Sequence, residues 1–294
     1  MLASAILAQF GEGCATVLDV GARWGQQDWW RLPHVAHLHG FEPDAEECAS
    51  LNAAARPDET YHPVALGGGC GTATLHVTLD PGSSSLLPPD PHFADTYPHL
   101  GIHRVQRTIP VDITTLAAWG AENNVPDPTV IKLDTQGTEH EILMGATAAQ
   151  LASVLAIECE VSFGRMYKDQ ALLGDLQALL ERHGIYLWRL SKLCHYSRSH
   201  GTKNRTVQLV YAPEHISAKV PFGRLLWADA VFLRPPEGIP PIVDEESLKR
   251  AMLAAHVYQS AGESDIAHVM VTRLVHSPPG LLNDFAAKYV RLAA

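Results

Sequence analysis

Short apolar runs alternate with helical patterns along most of the 294-residue chain. This alternation indicates βαβ units and a mostly parallel sheet. Segment 15–25 predicts a strand, a Gly turn and the start of a helix, and segment 37–55 predicts a strand, a turn and a helix. Segment 169–184 has helical spacing and ends on a Gly. Further strands are predicted at 60–69, 71–78 (antiparallel), 103–113, 129–134, 153–163, 185–190, 205–212 and 228–234.

Two stretches interrupt this pattern. Residues 80–101 are rich in Pro, Gly and Ser without a period, which predicts a long loop of the kind that is often functional. Prolines dominate 234–246, and we therefore place a boundary between a first unit, residues 1–235, and a helical extension, residues 236–294. The extension contains three helical patterns, at 245–260, 263–275 and 279–292. It is a candidate dimer surface, lid or packing cap, so a homo-oligomer is one of the arrangements we consider.

Composition and charge narrow the function classes. The chain is 46% hydrophobic and 18% charged, which is typical of a globular protein. Its net charge of −10, with no run of Lys or Arg longer than two, argues against nucleic-acid binding. No apolar stretch approaches the roughly 18 residues of a membrane-spanning helix, and the first residues lack the features of a signal peptide. The five cysteines are odd in number and widely spaced, which favours reduced thiols in the cytoplasm.

Candidate chemistry begins at the ends of the first two predicted strands. "LDVGARWG" places Asp19, Gly21 and Gly25 after the first strand, and "GFEPD" places Glu42 after the second. Ligands of parallel α/β sheets bind in the crevice outside such strand ends. Gly allows close backbone approach to a ligand, and a carboxylate at the second strand end can accept hydrogen bonds from ribose hydroxyls.

This spacing alone leaves the ligand open. A dinucleotide site requires G-x-G-x-x-G, whereas Arg23 and Trp24 stand here where a pyrophosphate needs bare backbone. A nucleoside without a diphosphate fits better, and S-adenosylmethionine (SAM) is the common one. The alternative is a Gly turn and a solvated Glu with no ligand.

Four segments together resemble one family. "VLDVGARWG", "GFEPD", "IKLDTQGTEHEILMGA" and "IECEV" occur in the order and at the approximate spacing of FkbM-type SAM-dependent methyltransferases. The segment 131–146 is the most specific of the four. The residues that match its K-x-D-x-x-G-x-E pattern and the following L-x-G are Lys132, Asp134, Gly137, Glu139, Leu143 and Gly145. The resemblance covers residues 15–234, and the helical extension lies outside it.

The resemblance implies a fold, a reaction and a cofactor site. The fold is α/β, a Rossmann-like seven-stranded SAM-dependent methyltransferase fold with an antiparallel hairpin at one edge, here followed by a C-terminal helical appendage. The reaction is methyl transfer from SAM to a hydroxyl of a sugar, glycan or secondary metabolite. The cofactor-binding candidates are Asp19, Gly21, Ala22 and Gly25 at the methionine pocket and Glu42 at the ribose. Many members carry the acidic residues of an L-D-D motif before the strand that ends in K-x-D. This chain has Ala117 and Ala118 in their place, so either Asp112 substitutes for those acids or their function is absent here.

Four carboxylates are the catalytic candidates. Asp134 ends a strand beside the first one, close to where the sulfur of SAM would lie. Glu139 begins the next helix and could instead only favour the helix dipole. Glu158 and Glu160 lie two apart on a strand and so point to one face. They could bind acceptor hydroxyls, hold Mg²⁺ together with Asp134, or pair with a structural lysine or arginine, and we assign no metal.

Two further points stay open at the sequence level. Trp24, Trp29 and Trp30 either stack on a ligand ring or, as is more common, pack in the core. The rival functions are a nicotinamide-dependent oxidoreductase, which the missing G-x-G-x-x-G disfavours, and a non-catalytic SAM-binding scaffold, which the lost L-D-D acids favour.

Overall fold

The computed structural model describes residues 1–25, 28–97, 101–196 and 224–293. Within them, seven strands form one sheet in the order β3-β2-β1-β7-β8-β10-β9. These strands are β1 (Ala15–Val20), β2 (Ala36–Phe41), β3 (Glu59–His62), β7 (Val130–Leu133), β8 (Ala156–Ser162), β9 (Tyr186–Tyr196) and β10 (Arg224–Leu233). The first five are parallel to one another, and β10 pairs antiparallel with β8 and β9. The predicted α/β fold with an antiparallel edge hairpin is confirmed, while the strand expected at 205–212 lies outside the described residues.

A second sheet of three strands departs from the sequence prediction. It consists of β4 (Ala65–Leu66), β5 (Gly71–Thr78) and β6 (Val105–Thr114), with β6 in the middle. The single strand expected at 60–69 is therefore wrong, because the chain leaves the central sheet after β3 and joins the second sheet at β4. Pro63 stands at this break and has no N–H to offer a ladder.

Ten helices accompany the sheets in the described part of the chain. They are α1 (Leu2–Phe10), α2 (Ala45–Ala54), α3 (Pro91–Thr96), α4 (Leu116–Asn123), α5 (Glu139–Met144), α6 (Ala148–Ser153), α7 (Leu173–Glu181), α8 (Glu245–Ser260), α9 (Ser264–Val275) and α10 (Asp284–Ala293). The helix start expected at Gly25 is wrong, because a 3₁₀ turn at Trp29–Arg31, capped by Asp28, follows instead. The stretch expected as one long loop contains a 3₁₀ turn, Pro81–Ser83, and helix α3, which Asp90 caps.

The C-terminal helices cover one face of the central sheet. Met252 and Tyr258 of α8 and Met270 of α9 are fully buried in one apolar cluster with Val17 of β1 and Leu233 of β10. The predicted helices therefore exist, and they share a core with the sheet. No helix of the described residues is long and apolar enough to cross a membrane.

The parallel order β2-β1-β7-β8 determines where a site can form. Because the strands run in the same direction, their carboxyl ends meet at one edge of the sheet. Asp19, Glu42, Asp134 and Glu160 come from four different segments of the chain, and this topology brings all four to that edge.

Candidate active site

A cleft opens at the carboxyl ends of β1, β2 and β7, with the segment after β5 on its far side. It contains about 730 Å³ of empty space, solvent-open volume included. Its lining residues are Val20, Gly21, Arg23, Trp24, Phe41, Glu42, Pro43, Ala65, Leu66, Leu75, Pro81, Gly82, Ser84, Ser85, Leu86, Asp134, Thr135, Gln136 and Thr138. Gly21, Glu42 and Asp134, three of the predicted site residues, thus lie around one cavity.

Gly21 lets the ends of β1 and β7 come together. Its φ is +79°, and a Cβ built there would lie 1.9 Å from the backbone oxygen of Asp134. The Asp134 N–H donates to the carbonyl of Val20 at 3.0 Å, which joins the two strand ends. Glycine is required here by both the backbone conformation and the contact.

Glu42 presents a buried carboxylate at the end of β2. Its Oε1 accepts the Asp44 N–H at 2.8 Å, and its Oε2 lies 3.4 Å from Arg23 Nε. Burial raises the pKa of Glu42 above its ordinary value, although the Asp44 N–H and Arg23 act in the opposite direction. A carboxylate held at this place can accept hydrogen bonds from neighbouring hydroxyl groups of a ligand.

The three tryptophans have three different environments. Trp24 has a φ of +67°, is 60% exposed and lies at the rim of the cleft, where its ring covers Gly82. Trp30 is buried in the core. Trp29 donates from its indole Nε1 to Glu158 Oε2. The core role proposed for such residues therefore describes Trp30, and Trp29 packs against the same apolar cluster.

Asp19 supports the turn from inside the protein. It is 1% exposed, and Lys132 Nζ lies 3.1 Å from its Oδ1 while donating to the Gly21 carbonyl at 2.8 Å. Burial alone would lower the pKa of Lys132, but Asp19 and Asp134 more than offset it and raise the pKa. This buried pair fixes the Gly turn and does not line the cleft.

The other cofactor candidates lie outside the described lining of the cleft. Ala22 is buried behind the turn, and a Cβ at Gly25 would contact Leu51 of α2 at 3.3 Å. Asp112 is exposed on β6, in the second sheet, opposite Thr72. The roles of these residues in SAM binding stay predictions, and the position of Asp112 lends its role no support.

Glu139 clamps the loop that follows β7. It is buried, and its carboxylate accepts the N–H of Thr135 at 2.9 Å, the hydroxyl of Thr135 at 3.0 Å and the N–H of Gly137 at 3.0 and 3.1 Å. Burial raises the pKa of Glu139 against these hydrogen bonds. These contacts make Glu139 a support of the loop. Glu139 is not among the residues that line the cleft, so its predicted catalytic role gains no support there.

A second, acid-rich cavity adjoins the first one at Asp134. It is lined by Lys132, Leu133, Asp134, Glu158, Glu160, Lys192, Trp227 and Asp229 and contains about 560 Å³ of empty space, solvent-open volume included. Asp134 lines both cavities. Three of the four catalytic candidates thus lie around this second cavity.

The carboxylates of the second cavity differ in their partners. Asp229 forms an ion pair with Lys192 at 2.7 Å, whereas Glu158 accepts from the neutral indole of Trp29. Burial, together with repulsion from Asp28 and Asp229, raises the pKa of Glu158 to about 7. Burial and the neighbouring Asp134 raise the pKa of Glu160 well above its ordinary value.

Sequence reasoning missed the groups that connect these acids. Asp229 stands opposite Glu160 in the β8–β10 ladder, and Lys192 comes from β9, so neither belongs to a motif. Gln136, inside the motif, donates to both Asp134 and Glu160. The structurally described residues include no group of three or more His, Cys, Asp or Glu side chains arranged to hold a metal ion.

Comparison with known families now decides the assignment of the chain. The family model described as "Methyltransferase FkbM domain" matches residues 19–185, which is more than half of the chain. The chain belongs to the FkbM family of SAM-dependent methyltransferases. A comparison with curated proteins found no match.

Three solved methyltransferase structures are similar to this FkbM-family chain. A methyltransferase FkbM from Methylobacillus flagellatus is 13% identical, with a TM-score of 0.37. The match covers 78% of this chain and 47% of that one, so this chain spans about half the length of the Methylobacillus protein. A TehB-like SAM-dependent methyltransferase from Corynebacterium glutamicum is 12% identical with a TM-score of 0.32, over 79% and 86%. The 1,6-didemethyltoxoflavin-N1-methyltransferase of Burkholderia thailandensis, with bound 1,6-didemethyltoxoflavin and S-adenosylhomocysteine, is 13% identical with a TM-score of 0.27, over 79% and 76%.

The cofactor of the family is SAM, and the residues of the cleft fit it. Glu42 offers a buried carboxylate for vicinal hydroxyls, and the bare backbone of Gly21 stands at the end of β1. Apolar Phe41 and Leu66 lie beside these polar groups, as a nucleoside requires. The nicotinamide alternative is therefore set aside.

Proposed function

We propose that the protein is an O-methyltransferase that transfers the methyl group of SAM to a hydroxyl of a sugar, glycan or secondary metabolite. The observation that carries the proposal is the double position of Asp134, whose side chain is 33% exposed and lines both the cleft that fits SAM and the acid-rich cavity. A carboxylate between donor and acceptor sites can accept a proton where the new bond forms.

The cleft supplies orientation for the methyl donor. SAM, when bound, supplies an electrophilic methyl carbon on a sulfonium. Glu42 would hold the ribose hydroxyls, while the Glu139-clamped loop after β7 fixes Thr135 and Gln136 at the opposite wall. Alignment of this kind can lower a barrier by about 7–11 kcal/mol at best.

The acid-rich cavity supplies activation of the acceptor. As the acceptor oxygen forms its bond to the methyl carbon, the sulfur–carbon bond breaks and the hydroxyl proton passes to a carboxylate, for which we choose Asp134. A positioned base of this kind typically contributes about 10²–10⁴-fold to the rate. Glu158 and Glu160 line the same cavity and would contact the acceptor.

The chemistry of the second cavity favours a polyhydroxylated acceptor. Each carboxylate can accept several hydrogen bonds from hydroxyl groups. Half-buried Trp227 adds an aromatic surface to the same wall. Sugars present both hydroxyl groups and apolar C–H faces, so this combination suits them.

Transfer of a labelled methyl group tests the proposal. We expect the protein to label at least one member of a panel of sugars, glycans and hydroxylated metabolites when given SAM with a labelled methyl group. Asp134→Asn should keep S-adenosylhomocysteine binding and lose about 10²-fold or more in transfer. Asp95→Asn, on the exposed side of α3, is the matched control. Tight SAM binding with no transfer to any hydroxyl acceptor would favour the scaffold alternative instead.

A further inference from the structure

The side-chain amide of Gln136 joins the two cavities. Its Nε2 lies 2.9 Å from Asp134 Oδ1 and 3.1 Å from Glu160 Oε1, so both of its protons are donated to carboxylates. Asp134 belongs to both cavities and Glu160 to the second one. One neutral group therefore holds two acids that would otherwise repel each other.

Tyr167 contacts the oxygen end of this amide. The Tyr167 hydroxyl is fully buried and lies 3.1 Å from Gln136 Oε1, 2.7 Å from the Ser83 carbonyl and 3.3 Å from His103 Nδ1. This hydroxyl has one proton to donate, and the Ser83 carbonyl is a nearer acceptor for it than Gln136 Oε1, so the carboxylates determine the orientation of the amide. Rotating the amide by half a turn would place its oxygen against two acids, which is unfavourable.

The backbone of Gln136 is also held in an uncommon conformation. Its φ is +59°, in the left-handed region that is unfavourable for a non-Gly residue. Its carbonyl accepts the Ser85 hydroxyl at 2.8 Å. A strained residue whose side chain and carbonyl are both fixed points to a requirement for that side chain in that place.

A neutral amide has a chemical advantage at this position. An Arg or Lys would hold the same carboxylates, but its positive charge would lower their proton affinity and weaken a general base. An amide fixes their geometry while adding no charge. It also occupies only Oδ1 of Asp134 and leaves Oδ2, which lies 4.0 Å from Lys132 Nζ.

We propose that Gln136 is a positioning residue of methyl transfer, whose amide holds the Asp134 and Glu160 carboxylates together at the wall between the two cavities. This inference rests on the proposed function, because it concerns the base of that reaction. Six charged groups face Glu160 or line the same cavity. They are Lys132 of β7, Asp134 directly after β7, Glu139 of α5, Glu158 of β8, Lys192 of β9 and Asp229 of β10.

The first test needs no acceptor. We compare the titration of the Glu160 carboxyl carbon by ¹³C NMR in the unmodified protein, in Gln136→Asn and in Gln136→Glu. Asn tolerates a positive φ but its shorter side chain withdraws the amide, and Glu has the same length without an N–H. Gln177→Asn is the control, because its exposed amide also donates to a glutamate, Glu181, at 2.8 Å. We expect the Glu160 midpoint to rise by about one pH unit in Gln136→Asn and further in Gln136→Glu, and to stay in place in the control.

The remaining readouts separate positioning from folding and from donor binding. Gln136→Asn should keep the melting temperature and the calorimetric Kd for S-adenosylhomocysteine, within about twofold. With an acceptor from the labelled-methyl panel, kcat should fall about 10-fold or more at neutral pH, with KM for SAM unchanged.

Two results would overturn the inference. One is a Glu160 midpoint that does not move in either Gln136 variant. The other is a Kd for S-adenosylhomocysteine that weakens as much as turnover falls, which would assign Gln136 to the donor cleft. Absence of transfer to every acceptor would count against the O-methyltransferase proposal, while the NMR comparison would still decide whether Gln136 couples the acids.

Discussion

Individual carboxylates of the site are distinguished by what surrounds them. Glu42 and Glu139 both come from motifs, both are buried, and the pKa of each is raised by burial. Glu42 lines the cleft, whereas the carboxylate oxygens of Glu139 accept hydrogen bonds from the N–H groups of Thr135 and Gly137. The first is therefore suited to ligand binding and the second to holding the loop.

Glu42 gives the first prediction at this scale. SAM should raise the melting temperature of the unmodified protein, and Glu42→Ala should remove most of that rise because the ribose hydroxyls lose their acceptor. Differential scanning fluorimetry with and without SAM measures the shift. Glu122→Ala, on the exposed side of α4, controls for the loss of a glutamate. A full shift in the Glu42 variant would reject the ribose role.

Glu158 gives a prediction about pH. Its pKa is raised to about 7, so its ionisation in the folded protein costs stability above pH 7 and this cost disappears as the pH falls towards 4.5, where the group is also protonated in the unfolded chain. Glu158→Gln should therefore be more stable than the unmodified protein at pH 8, by about 1–3 kcal/mol, and equally stable near pH 4.5. Urea unfolding at both pH values measures this, with exposed Glu181→Gln as control. A constant difference across the range would contradict the assignment.

Sequence reasoning succeeded for residues within one strand–turn unit. Gly21, Glu42 and Asp134 each follow an apolar strand directly, so their position in the sequence already places them at the sheet edge. Tyr167 and Ser85 could not be predicted in this way, because they reach Gln136 across 31 and 51 residues of sequence. Contacts between residues so far apart in the sequence depend on how distant loops pack. A local sequence pattern does not predict that packing.

At the scale of elements, the approach of β1 to β7 shapes the cleft. Gly21→Ala should destabilise the protein through two effects. An alanine at this positive φ costs about 1–2 kcal/mol, and the clash of its Cβ with the Asp134 carbonyl costs about 1–3 kcal/mol more. Gly13→Ala is the control for the first effect, because Gly13 has a φ of +64° and no atom within 4 Å of the added Cβ. Urea unfolding of both variants measures the difference, and equal losses would show that the strand ends tolerate the Cβ.

Element boundaries were predicted less well than element types. Where the sequence predicts the start of a helix, the described residues from Asp28 onward form a 3₁₀ turn that brings Trp29 to Glu158. Pro63 divides one predicted strand between two sheets. In the first place a tertiary partner, and in the second a proline within the strand, determines where the element ends.

At the scale of the whole molecule, the C-terminal helices belong to the core of the protein. Met270→Ala should lower the free energy of unfolding by about 2–5 kcal/mol, because this fully buried side chain of α9 packs in the cluster that also contains strand residues. The effect should appear in one cooperative transition of fluorescence and circular dichroism. Val269→Ala, one residue earlier and 41% exposed, should change stability by less than about 0.5 kcal/mol. A separate early transition, affected alone by Met270→Ala, would show that the helices unfold independently.

Three expectations about the whole protein stay predictions. They are the division of the chain at residue 236, the cytoplasmic location that the cysteine pattern favours, and the homo-oligomer for which the extension is one candidate surface.

A crystal structure of the complex with S-adenosylhomocysteine tests the central claim most directly. We predict density for the nucleoside in the cleft at the ends of β1, β2 and β7, with the ribose hydroxyls on Glu42 and the sulfur facing Asp134 and the acid-rich cavity. Density for the nucleoside at another place, or a sulfur directed away from Asp134, would contradict the account.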